Sequence, residues 1–124
     1  MPKYCHPDAP DAALDVIASA DLLALCPSLP ASYAAAVAAA IATVALDAAD
    51  FTGPAAGDVS GRKITVAAQP GLTIDVEGDP SHVCLLDTTG ERLLYATEEG
   101  TVQTLLLGNT VDVPAWDIEI RDPS

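Results

Sequence analysis

From Arg62 onward the chain consists of short runs of apolar and β-branched residues separated by turn residues at nearly even spacing, and this rhythm constrains the fold more than any other feature. The runs are KITVAA, LTIDVEG, HVCLLD, RLLYATE, TVQTLLL and TVDVPAWDIEI. Pro70-Gly71, Gly78-Asp79-Pro80, Thr88-Thr89-Gly90, Glu98-Glu99-Gly100 and Gly108-Asn109 divide them. Such spacing predicts a mainly β protein, an antiparallel β-sandwich or jelly-roll-like domain. In LTIDVEG, Leu72, Ile74 and Val76 alternate with Thr73, Asp75 and Glu77, so one face is expected to be buried and the other wet. HVCLLD differs. Val83 and Leu85 fall on one face and Cys84 and Leu86 on the other, so both sides need cover, as in a central strand or one facing a neighbouring subunit. The turn that follows reads as a three-residue hairpin loop with Gly90 left-handed, and Arg92 is placed to pair with Asp87 across it.

The first half is less regular. DAPDAALDVIASA sets Leu14, Ile17 and Ala18 at helical spacing behind Asp8 or Asp11 as caps, which predicts a short amphipathic helix. A strand is expected over Leu22 to Cys26, stopped by Pro27. The alanine-rich stretch predicts a second helix near Ser32 to Ala40 and a strand near Ile41 to Leu46, because alanine favours helix and IATVAL carries β-branched residues. TGPAAGDVSG reads as turn chemistry throughout. With 124 residues, one domain spanning 1–124 is expected, residues 1–50 forming the helix, strand and alanine-rich portion and 62–121 the sandwich strands.

Charge narrows the function. Eighteen acidic residues against five basic ones give a net charge of −13. That field repels phosphate backbones, and Arg62-Lys63 is the only basic pair, so no nucleic acid is expected as a partner. The most apolar run, Ala34 to Ala49, is mostly alanine and shorter than the roughly 20 strongly apolar residues a span requires, so no membrane is expected either. The opening MPKYCHPDAPDAALDV does not read as a signal peptide, and synthesis in a cytoplasm is the expectation.

Catalytic chemistry finds little support. Cys5, Cys26 and Cys84 form no Cys-x-x-Cys pair and read as reduced, small apolar residues, with a Cys5 to Cys26 bridge left open. His82 and Cys84 share a strand face, but a closed zinc site needs four ligands, and the other candidates, Cys5, His6 and Cys26, are distant in sequence. A cysteine and a histidine two apart on a strand do not by themselves set the hydrogen bond that activates a thiol. Asp75 with Glu77 and Asp117 with Glu119 each share a strand face, where carboxylates can hold calcium or act as acid and base. No glycine-anchored calcium loop accompanies them, and solvated sheet faces explain both pairs. Trp116 alternates with Ile118 and Ile120, which makes it core or interface. Neither an enzyme, a metal site nor a cofactor site is expected.

Several segments together resemble a family of small virion structural proteins of tailed bacteriophages: KYC at Lys3 to Cys5, DAAL at Asp11 to Leu14, SGRKITVAAQPGLTID from Ser60 to Asp75, HVCLLDTTGERLLYAT from His82 to Thr97, and the ending PAWDIEIRDPS. The match covers nearly the full chain and is one of texture and order, not of a catalytic signature. The alanine run from Ala34 and the acid at Glu91 depart from it. The resemblance implies a β-sandwich component of the particle, most simply a capsid decoration or cement protein on the outer capsid lattice. Its partners would be the major capsid protein and neighbouring copies of itself, in a symmetric oligomer such as a trimer. Tyr4, Leu93, Leu94, Tyr95 and Trp116 are the expected contact residues. The alternatives are a tail, fibre-adaptor or head-to-tail component, or a surface glycan-binding module using Trp116.

Overall fold

LLALC, Leu22 to Cys26, has no polar face, and it folds as a strand with a neighbour on each side. In the computed structural model, which describes residues 6, 8–58, 60–98 and 106–121, this strand β1 (Leu22–Cys26) pairs antiparallel with β2 (Ala42–Ala45) and with β6 (His82–Asp87). β6 in turn pairs with β7 (Arg92–Glu98), giving the order β2-β1-β6-β7. Both central strands are covered on both faces. Leu23, Leu25, Val83 and Leu85 enter the main core, and Ala24, Cys26, Cys84 and Leu86 enter a second apolar cluster on the other side. Helix α2 (Tyr33–Ala39) closes that second side through Ala36, and the Ser32 hydroxyl caps it by accepting from the Ala35 N–H at 3.2 Å.

A second sheet, in the order β3 (Phe51–Ala56), β4 (Arg62–Val66), β9 (Trp116–Ile120), supplies Ile64, Val66 and Ile118 to the main core. β4 passes through two residues into β5 (Gln69–Thr73), and β8 (Thr110–Val113) passes through Pro114-Ala115 into β9, so β5 paired with β8 prolongs the β4-β9 ribbon. A single bridge between Ala42 and Ile74 ties this ribbon back to the first sheet. Helix α1 (Asp8–Ile17) packs against β3, β4, β7 and β9 and seals that flank with Leu14, whose side chain is wholly buried. The architecture is mainly β and antiparallel, as the strand rhythm predicted.

Five local expectations differ from the structure. Residues 52–56 of TGPAAGDVSG, expected as turn, join Phe51 in β3. Proline and glycine are tolerated there because β3 is an edge strand whose register shifts between Thr52 and Ala55, around the cis Gly53-Pro54 bond. Pro70-Gly71 does not divide strands but lies inside β5, again at a register shift, with Gly71 at φ 70°. The alternation in LTIDVEG ends early. Ile74 is buried, but the N–H groups of Asp75 and Val76 both donate to the Ile41 carbonyl, the chain leaves the sheet, and Val76 is 55% exposed. The β6-β7 turn holds Thr88 to Glu91, and its left-handed residue is Glu91 at φ 52°, not Gly90. At 90 the constraint is space: a Cβ there would lie 2.8 Å from Asp87 Oδ2, so that carboxylate would have to shift. TVDVPAWDIEI is two strands, broken where Pro114 lacks an N–H. Most of TVQTLLL lies outside the described residues, and Leu106 and Leu107 belong to no strand.

Candidate interaction surface

Three of the expected contact residues sit on β7, the last strand of the first sheet. Opposite β6, Leu85 pairs with Tyr95 and Leu86 with Leu93, so Leu94 is an extra residue in β7. This bulge turns two successive side chains to one side. Leu94 and Tyr95 both pack on the main core, while Leu93 and Ala96 pack on the second cluster. Each of the three remains half-buried. The strand thus presents a partly apolar edge, ending in the exposed Arg92 and Glu98.

Trp116 is on the other sheet. It opens β9 opposite Val66, which in turn lies opposite Phe51, so the three form a row across the strands. The ring is half-buried against the main core, and its Nε1–H is fully buried with no acceptor among the described residues. β7 and β9 both border α1. The structure therefore sets Leu93, Leu94 and Tyr95 together and puts Trp116 on a separate strand across the helix. Tyr4 lies outside the described residues. Sequence reading missed Leu29, Val76 and Leu107, which are 63%, 55% and 61% exposed. They lie in loops, where no periodicity signals exposure.

The cations are committed to structure. Arg62 Nε donates to Asp11 at 2.7 Å, Lys63 Nζ to Asp58 at 2.7 Å and to Asp117 at 3.3 Å, Arg92 to Asp87 at 2.8 Å, and Arg121 to Glu119 at 3.2 Å. Every arginine and lysine among the described residues has an acidic partner, so the remaining surface charge is acidic. The Thr65 hydroxyl and then Lys63 hold Asp117 below the usual carboxylate range, and Asp58, then Asp117, push Lys63 up. The Arg92 guanidinium, then the Gly90 N–H, lowers Asp87, and the Thr88 hydroxyl and N–H lower Asp21. These groups act as local fasteners.

The residues considered for catalysis are dispersed or enclosed. Asp117 and Glu119 are held by Thr65 and Lys63 and by Arg121, whereas Asp75 and Glu77 belong to the loop after β5 and not to a strand. His82 Nδ1 is 2.7 Å from the Ser81 hydroxyl, and His82 lies across from Glu98. Cys84 is fully buried in the cluster it shares with Cys26, so no Cys84–His82 pair faces solvent. Cys26 is a free thiol, and Cys5, the other half of the bridge left open, lies outside the described residues. Among the described residues no three His, Cys, Asp or Glu side chains converge as metal ligands. No helix among them is long and apolar enough to cross a membrane. Compared with protein families, with curated proteins and with solved structures, the chain matches none.

Proposed function

We propose that this chain is a non-enzymatic virion structural protein, a capsid decoration or cement subunit bound in many copies to the outer capsid lattice. The observation that supports this best is strand β7: at the end of its sheet, bulged at Leu94, and half-exposed along Leu93, Leu94 and Tyr95. A strand edge of this kind accepts a neighbour through main-chain hydrogen bonds and side-chain contact. The surplus of acidic side chains keeps a many-copy protein soluble before assembly and selects partners of opposite charge. Binding only to the assembled shell would stabilise it by mass action. The partners on this reading are the major capsid protein and neighbouring copies, with the capsid exterior as the location.

Quantitative mass spectrometry of purified particles tests the proposal. A copy number comparable to that of the major capsid protein supports decoration. A handful of copies per particle would move the function to a tail or head-to-tail component, and absence from the particle would overturn the virion reading. A glycan module is less favoured because Trp116 is half-buried, its ring packed against the main core and its Nε1 enclosed.

A further inference from the structure

Cys26 and Cys84, 58 positions apart in the chain, are brought together by the pairing of β1 with β6. Ala24 faces Cys84 and Cys26 faces His82, so the two cysteines are diagonal neighbours on one face of the sheet. Both are wholly buried, and they share the second apolar cluster with Ala24, Ala36 and Leu86. The Cys26 thiol donates to the Ala36 carbonyl of α2 at 3.6 Å, and Cys84 lies beside it in the same cluster. A structural filler would need only volume. Two facing thiols add a two-electron chemistry that a pair of alanines lacks.

We propose that Cys26 and Cys84 form an oxidation site, at which a hydroperoxide of the size of hydrogen peroxide closes an internal disulfide joining β1 to β6. The Cys26 sulfur, as thiolate, attacks one peroxide oxygen. The O–O bond breaks, the departing hydroxide takes a proton to become water, and Cys26 is left as a sulfenic acid. The Cys84 sulfur then attacks the Cys26 sulfur, the S–O bond breaks, and the expelled hydroxide takes the Cys84 proton. Two thiols and one peroxide thereby give one disulfide and two waters, the sulfurs losing two electrons and the peroxide oxygens gaining them. Cys26 lies directly under α2, its Sγ 3.6 Å from the Ala36 carbonyl, so it is the first thiol met where the helix lifts, and Cys84 is the one that resolves it.

Access runs through α2. This helix has only seven residues, four of its side chains are exposed, and Ser32 is its cap, so it lifts more readily than the strands beneath it separate. Diagonal neighbours on adjacent strands lie farther apart than the usual disulfide span, so closure draws β1 and β6 together and leaves a bridge that mild thiols reduce.

The test uses the Cys5→Ser chain, which retains only this pair. Folded, reduced protein is exposed to hydrogen peroxide, and intact mass, free thiols under denaturing conditions and peptide mapping are recorded. The expected result is loss of two hydrogens, disappearance of both titratable thiols, and a cross-linked peptide pair containing Cys26 and Cys84, all reversed by dithiothreitol. In the same background Cys26→Ala and Cys84→Ala, which keep the cluster apolar, should give no internal cross-link. Ser32→Ala should speed closure about fivefold, the factor corresponding to about 1 kcal/mol of lost helix cap. Gain of oxygen atoms without a cross-link, covalent dimers in place of the internal bridge, or reaction only at the rate of global unfolding would each overturn the proposal.

Discussion

Leu85 and Leu86 are successive, wholly buried residues of β6 that point to opposite sides of the sheet, the first into the main core and the second into the cluster under α2. Truncating each to alanine tests whether both faces contribute to stability. Each substitution removes three carbons from an apolar site, worth roughly 2.4 kcal/mol at about 0.8 kcal/mol per methylene. The void left behind raises the cost of a buried Leu→Ala change to about 3–5 kcal/mol. Leu85 is enclosed by two sheets and α1, which cannot close on the gap, so its cost belongs near the upper end, about 4 kcal/mol. Leu86 is covered partly by a short alanine-rich helix that can settle inward, so about 3 kcal/mol is expected. With a urea m-value of about 1.5 kcal/mol/M, the midpoints should fall by about 2.7 M and about 2 M respectively. A midpoint for Leu86→Ala within about 0.3 M of the parent, the shift typical of a surface substitution, would refute the two-faced reading of this sheet.

Acidification should destabilise the fold. The folded-state pKa values of Asp87, Asp117, Asp21 and Asp50 are lowered, so their contribution is present above the unfolded carboxylate value near about 4 and is lost as pH falls through the lower folded values. Thermal melts from pH 7 down to pH 2 should show stability declining below about pH 4, and Asp87→Asn should flatten that decline. In the β6-β7 turn, Gly90→Ala should destabilise by about 1 kcal/mol by pushing its Cβ against Asp87 Oδ2, while Glu91→Gly should stabilise by a similar amount by relieving φ 52°. Equal melting temperatures for both turn variants would contradict this division of roles. Trp116→Phe should cost less than about 1 kcal/mol in chemical unfolding, because the lost ring contact is offset by removing a buried donor with no acceptor. A loss of several kcal/mol would mean that Nε1 has a partner.

The strands were legible wherever a run of apolar residues was bounded by strong turn chemistry. β1, β6 and β7 fall within the predicted segments, and the apolar character of both faces of HVCLLD correctly marked a central strand. The alanine-rich segment also divided as expected, because Ser32 supplies a cap and the β-branched residues, apart from Val37, cluster after Ala40 as Ile41, Thr43 and Val44. Two departures share one physical origin. Glycine and proline were read as breaks at Gly53-Pro54 and at Pro70-Gly71, but an edge strand or a bulge absorbs them, and edge position is a property of the assembled sheet. The Leu94 bulge was equally invisible, although it decides which way the candidate contact residues face. The meeting of Cys26 with Cys84 depends on the register of two strands far apart in the chain, which periodicity does not encode. The expected contact residues are apolar or aromatic. Composition does not reveal that Leu93, Leu94 and Tyr95 would lie on one strand with Trp116 across a helix from them.

Cryo-electron microscopy of the particle that carries this chain is the most direct measurement of its proposed role. The account predicts density for the two-sheet domain repeated over the capsid lattice, with β7 or the α1 flank beside it at the contact with the shell or a neighbouring copy. Density confined to the tail or a vertex, or no density for the domain anywhere on the particle, would contradict it.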